Sequence, residues 1–225
     1  MSLSILHREI VGCNKCERLR KHCQEVARVK RRAYLAQEYW GKPVPPFGDP
    51  SARLLIIGLA PGAHGANRTG RVFTGDKSGD FLYRALYETG FANQPTSTSI
   101  DDGLVLNDCW ITCPVRCAPP DNKPLPEEFG RCRPYLEQEL KLLPNVKVIV
   151  CLGKLAFDTY LGILRDTEGV KTSALHFGHG VVHDQRKPVL IGCYHPSQQN
   201  TSTGRLTPAM LRDVFSTSVG LLTRK

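Results

Sequence analysis

Arg53-Leu54-Leu55-Ile56-Ile57 runs without interruption into residues 58–79, GLAPGAHGANRTGRVFTGDKSG. A short aliphatic run ending in a glycine-rich loop predicts a buried parallel strand that delivers its C-terminal end to a ligand. Open α/β sheets bind their ligands in the crevice beyond the carboxyl ends of the strands. The glycines at 58, 62, 65, 70, 75 and 79 lack the Cβ that holds a backbone away, so main-chain N–H groups can come close to a bound molecule. Among them stand His64, Asn67, Arg68, Thr69, Arg71, Phe73 and Asp76, a density of polar groups beside one aromatic that a plain connection does not need.

Two phosphate loops share this general form, and neither pattern is met. The dinucleotide fingerprint G-x-G-x-x-G is absent, and the Walker pattern fails at one position, because residues 70–78 read G-RVFT-G-D-K-S, with Asp76 where a lysine should follow Gly75. A carboxylate there repels a triphosphate. It suits a chemistry in which an acid directs water at an electron-poor carbon.

Outward from the loop, helical and extended patterns alternate. Phe81, Leu82, Ala85 and Leu86 at helical spacing predict a helix over 80–88 that begins near 76–78, which puts Asp76 at a positive helix end. Further strands are expected at 104–112, 146–152 and 189–194, and helices at 127–143, 154–164 and 208–222, the last with Thr207 as N-cap and Pro208 in the first turn. Such alternation means a parallel sheet with helices on both faces. The 225 residues are read as one domain, with residues 1–50 a helical and extended N-terminal appendage. Residues 13–39 form a basic helical stretch, the proline-rich 41–50 an extended link, and 93–99 a mobile polar loop. His176, His179 and His183 surround Gly178 and Gly180 and read as hairpin residues without a role.

A net charge of +9 favours an anionic partner such as nucleic acid. No apolar run is long enough to cross a bilayer and the N-terminus lacks a secretory pattern, so a cytoplasmic protein is expected. Nine cysteines in such a chain predict reduced thiols, some of them metal ligands. Cys13-Asn-Lys-Cys16 has ligand spacing, and Cys113, Cys117 and Cys132 surround a proline-rich loop, whereas Cys109 and Cys151 fall inside apolar strands as inert thiols. Four thiolates fit zinc or an iron–sulfur cluster, and spacing does not separate the two. The strand over 189–194 leads into His195-Pro-Ser-Gln-Gln-Asn-Thr-Ser-Thr-Gly-Arg-Leu-Thr, which aims His195 at the same sheet edge as the glycine loop.

GLAPGAHGANRTGR, FTGD and the HPS…NT…TGRLT segment together resemble the two active-site motifs of the uracil-DNA glycosylase superfamily, and most closely its family 5 (type B). The resemblance runs from Cys13 through Arg212. It implies a three-layer α/β/α sandwich on a four-stranded parallel sheet, and a 4Fe-4S cluster held by Cys13, Cys16, Cys117 and Cys132. It implies catalysis by Asp76, His195 and Asn122, a base held by the backbone of Gly62, Ala63 and His64 and stacked on Phe73, and DNA contacts from Arg68, Lys77, Ser197, Asn200 and Arg205. The first motif has no carboxylate or Asn beside Gly62, where several sister families place their water-activating residue, so the resemblance passes that role to Asp76. Val72 and Gln198 stand where Pro is common in the family. The implied activity is base excision repair on double-stranded DNA: a monomeric enzyme flips out uracil or a related deaminated base and hydrolyses its glycosidic bond. No lysine stands out as a Schiff-base nucleophile. A non-catalytic iron–sulfur module that recognises damage, and a phosphate-loop enzyme using residues 70–78, are the alternative readings.

Overall fold

The apolar runs form strands and the periodic segments helices in the computed structural model, which describes residues 2–224. In chain order the elements are α1 (Leu3–Val11), α2 (Glu17–Val29), β1 (Phe47–Gly48), β2 (Leu54–Ile57), α3 (Ala66–Thr69), α4 (Lys77–Glu88), β3 (Cys109–Thr112), α5 (Pro126–Leu142), β4 (Val148–Leu152), α6 (Lys154–Glu168), β5 (Val182–His183), β6 (Val189–Cys193), α7 (Gln198–Ser202) and α8 (Pro208–Thr223). The strands lie in the order β1-β3-β2-β4-β6-β5. The central four, β3-β2-β4-β6, are parallel throughout. Short β1 and β5 add antiparallel edges, so the sheet has six strands and is mixed where four parallel ones were expected. Two-residue edge strands are too short to leave an alternation in the sequence.

Alternation along the central strands sorts their side chains to two faces. Leu54, Ile56, Ile111, Val148, Val150 and Ile191 pack with Leu82 and Leu86 of α4 and with Leu211 and Phe215 of α8. Leu55, Ile57, Trp110, Ile149 and Leu190 pack with Phe157, Tyr160 and Leu164 of α6. Helices on both faces explain why these strands read as unbroken apolar runs. Burying each such Leu or Ile contributes about 1.5–3 kcal/mol.

Several boundaries differ from the expected ones. The basic stretch over 13–39 is not one helix, since α2 ends where Lys30 takes φ 59° and only a 3-10 turn follows at Arg32–Tyr34. The strand expected at 104–112 begins at Cys109 because Asp108 has φ 53°, and its carboxylate takes the backbone and side-chain N–H groups of Arg53, each at 2.8 Å. Helix α1 was not anticipated; Leu6 and Ile10, one turn apart, bury it against Tyr135 of α5. Helix α6 runs past 164 to Glu168 and stops at left-handed Gly169.

The polar loop at 93–99, expected to be mobile, is fastened from below by a buried arginine. Arg71 donates to Ser97 Oγ (2.8 Å), Ile100 O (3.3 Å) and the Asp102 carboxylate (2.7 Å), and Asp102 also accepts the Thr98 N–H at 2.7 Å. Burial opposes ionisation of Asp102, but the Arg71 and backbone donors outweigh it and hold its pKa at about 2. A second buried pair lies under the sheet edge: Arg116 donates to Glu139 Oε2 (2.8 Å) and to Thr112 Oγ1 (2.6 Å), and Thr112 donates to the same carboxylate.

Candidate active site

Beyond Ile57 the glycine loop forms the short helix α3 and then enters α4, whose N-cap is Asp76. Asp76 Oδ1 accepts the Gly79 N–H at 3.0 Å, as an N-cap acid should. Its other oxygen, Oδ2, lies over Gly62 and Gly65. A Cβ at Gly62 would stand 2.8 Å from that oxygen, and one at Gly65 would overlap it. The loop's glycines thus make room for a carboxylate reaching back from α4. Burial raises the Asp76 pKa above the ordinary carboxylate value, while the N–H groups of Gly79 and Ser78 draw it down.

The second part of the site follows β6. His195 follows this strand, and its carbonyl accepts Asn200 Nδ2 at 2.8 Å. Burial pushes the His195 pKa down to about 4, so its imidazole is neutral at physiological pH. Its ring lies 5.9 Å from the Phe73 ring, with 33° between the planes. Phe73 takes φ 52° and rests against Gly58, where a Cβ would stand 2.8 Å from the ring. Only 8% of Phe73 is exposed, so any stacking on it uses the part of the ring that Gly58 and His195 leave uncovered. Phe73 therefore joins the two loops: its ring meets His195, and three residues later the chain presents Asp76.

Other expected site residues divide into braces and surface groups. Arg68, expected at DNA phosphates, is buried and serves the loop. Its Nε and Nη2 donate to the carbonyls of His64 and Gly75 (both 2.7 Å), Nη1 donates to Gln37, and the guanidinium lies 4.0 Å from the Tyr34 ring centre. Asn200 likewise acts within its own loop through the His195 carbonyl. His64 Nδ1 is 3.1 Å from the Tyr39 hydroxyl, and burial lowers its pKa. Lys77 and Arg205 are exposed, and Ser197 is the N-cap residue of α7. Asn122 lies on the surface at φ 56° in the loop beyond β3, and among the described residues no side-chain hydrogen bond joins it to Asp76 or His195. Asn67, which the sequence reading gave no task, ties the loop to α2 through Nδ2 to Cys23 O (3.3 Å) and Ala63 O (3.4 Å).

A glycine loop and a His-Pro-Ser loop meeting on one parallel sheet edge are matched over most of the chain by known proteins. The profile of the uracil DNA glycosylase superfamily covers residues 45–217. The chain belongs to this superfamily. It is 52% identical over 216 residues to the type-5 uracil-DNA glycosylase of Mycobacterium tuberculosis, covering 95% of this chain and 80% of that one. Identity to the type-5 enzyme of Mycobacterium leprae is 52% over 217 residues, covering 95% and 93%. The Thermus thermophilus type-5 enzyme is 47% identical over 211 residues, covering 92% of each chain.

Below the glycosylase loops the cysteines gather. Cys16, Cys117 and Cys132 are buried with Leu19, Val115 and Ala118, and Cys13 lies at the edge of the neighbouring cluster of Leu6, Ile10 and Tyr135. Burial raises the Cys16 thiol, with Cys117 and Cys13 adding to the effect, and raises Cys132 to about 12, with Cys117 and Cys16 adding. Cys23 packs in the same cluster, its thiol toward the Ala118 carbonyl at 3.6 Å. Cys16 and Cys23 stand seven residues apart, two helical turns, a spacing that puts both thiols on one face. Among the described residues, no three His, Cys, Asp or Glu side chains converge around one ion position. None of the described helices is long and apolar enough to cross a membrane.

Proposed function

We propose that this chain is a monofunctional uracil-DNA glycosylase of the type-5 kind, acting on uracil and related deaminated bases in duplex DNA. The supporting observation is the seat of Asp76 over Gly62 and Gly65, joined through Phe73 to a neutral His195. A base inside a duplex is out of reach, so the nucleotide must swing out, at a cost of a few kcal/mol that is least at a mismatch. U opposite G is therefore the favoured substrate. The backbone of Gly62, Ala63 and His64 and the exposed Asn122 would meet the polar edge of the base, and Phe73 its face.

Breaking the C1′–N bond sends its electron pair to the base and leaves positive charge on the sugar. The neutral His195 imidazole donates a hydrogen bond to the departing base anion, a preorganised contact that needs no prior protonation. Ionised Asp76 stabilises the sugar cation and aligns a water whose oxygen bonds to C1′; one of its hydrogens stays in the new C1′ hydroxyl, the other leaves as a proton that neutralises the departed base anion through solvent, and an abasic site remains. Exposed Lys77 and Arg205 would face the phosphates, which makes binding weaken steeply with salt. Cys13, Cys16, Cys117 and Cys132 would hold a 4Fe-4S cluster. Their all-thiol set, three of them buried among apolar side chains with Cys13 at the edge of the neighbouring cluster, suits the chemistry of an iron–sulfur group. Bound there, it would tie Cys13 and Cys16 of the N-terminal segment to Cys117 in the loop after β3 and Cys132 of α5.

Incubating the protein with a U:G duplex and cleaving with alkali should reveal an abasic site. Bound but intact strands at every salt concentration would make it a damage-binding module instead. The purified protein should be brown and contain iron; colourless, zinc-loaded protein refutes the cluster.

The pH profile follows from the two shifted groups. Asp76 works ionised, so the single-turnover rate should hold above its raised pKa and fall as the pH drops through it. His195, already neutral down to about pH 4, should add no inflection near the ordinary histidine value. An inflection there that vanishes in His195→Ala would contradict this assignment.

A further inference from the structure

Where the backbone ladder along β6 runs out, a side chain takes over. Gly180 N–H donates to Gly192 O (2.8 Å) and Gly192 N–H to Val181 O (3.0 Å). Two residues further on, the Tyr194 N–H donates to His179 Nδ1 at 3.2 Å. The turn can cross the strand end here because a Cβ at Gly192 would collide with the Gly178 carbonyl. The His179 ring also stacks on the Tyr194 ring, with centroids 5.0 Å apart and planes 30° apart, and the Arg205 guanidinium lies 4.6 Å from that same Tyr194 ring. Behind His179 a cavity of about 330 Å³ is lined in part by Met210 and Asp213 of α8.

Tyr194 immediately precedes His195. The main chain around His195 is thus pinned twice, by His179 on the residue before it and by Asn200 on its own carbonyl. We propose that His179 is a positioning residue for His195: its Nδ1 fixes the Tyr194 peptide, and its ring links that peptide to Arg205 on the DNA-facing loop. What this position serves rests on the glycosylase reading; the contact itself does not. An acceptor at Nδ1 leaves the ring proton on Nε2, so His179 must stay neutral to act. Burial lowers its pKa and favours that state, against the opposing pull of the Met210 backbone and Asp213.

Two variants separate the roles of this imidazole. His179→Phe keeps an aromatic against Tyr194 and removes the acceptor, whereas His179→Asn keeps an oxygen near the Nδ1 position and removes the ring. The Phe variant should lose about 10–100-fold in single-turnover uracil release, the scale of a misplaced catalytic group, while its Kd for an abasic-site duplex hardly changes. Its Tyr194 amide should exchange faster with solvent in nitrogen-resolved spectra. The Asn variant should keep both the rate and the amide protection and bind DNA more weakly. A folded Phe variant with wild-type rate, or equal rate losses in both variants, overturns the proposal. Should the Phe variant not fold, His179→Ala set against His179→Asn makes the same comparison. Wild-type protein that releases no base overturns the glycosylase reading instead, and Tyr194 exchange still decides whether His179 holds that peptide.

Discussion

Asp76→Asn should reduce single-turnover uracil release by about 10²–10⁴-fold, the range for loss of a positioned acid–base group, while duplex binding persists. Asparagine keeps the size and retains an oxygen to cap Gly79, so α4 should begin as before. The negative charge opposite the developing sugar cation is lost. Gly65→Ala is the sharper companion, because it leaves every proposed reacting group in the sequence. The new methyl would occupy the position of Asp76 Oδ2, so the carboxylate must turn away or the loop must shift. A comparable rate loss with little change in melting temperature is expected. If Gly65→Ala worked at the wild-type rate, the carboxylate would not act from its seat over the glycines; full activity in Asp76→Asn would assign catalysis to another group.

The largest stability effect is expected at Arg116. Arg116 and Glu139 are 1% and 0% exposed, and together with Thr112 they tie the end of β3 to α5. Arg116→Met would strand a carboxylate in the core, at a cost of about 3–5 kcal/mol. For a chain of this size that lowers Tm by roughly 6–20 °C. Arg116→Met with Glu139→Leu should recover much of the loss, because removing both partners leaves no buried charge. The deficit of the single variant should also shrink in acid. Burial already raises the Glu139 pKa against the pull of Arg116, and without that partner the folded state takes up a proton that the unfolded chain does not, which favours folding at lower pH. Urea titrations of the three proteins at neutral and acid pH measure both effects. A single variant as stable as wild type at neutral pH would show the pair to be dispensable.

The parts of the site legible in the sequence were those whose chemistry is local. Asp76 stood out because it breaks a phosphate-loop pattern, and His195 because a strand ends just before it. The glycine spacing announced a close approach, although the approaching group proved to be the protein's own carboxylate. Arg68 looked like a phosphate contact because its bracing partner Gln37 lies 31 residues away in the chain. The Arg116–Glu139 pair and the His179–Tyr194 contact were hidden for the same reason: burial of a polar residue depends on a partner that only the folded chain brings near. Asn200 carries a task the motif did not disclose, a hydrogen bond to the His195 carbonyl within its own loop.

The braces on the glycine loop have a consequence for where this enzyme can be cut. The superfamily profile starts at residue 45, yet Gln37 holds Arg68, Tyr39 meets His64, the Cys23 carbonyl receives Asn67, and the N–H groups of Trp40 and Gly41 reach the carbonyls of Arg68 and Asn67. A fragment trimmed to the profile would retain all of β2, β3, β4 and β6 while removing the hydrogen-bond partners that brace its glycine loop. A 45–217 fragment is therefore expected to release uracil more slowly than the full chain in a single-turnover assay.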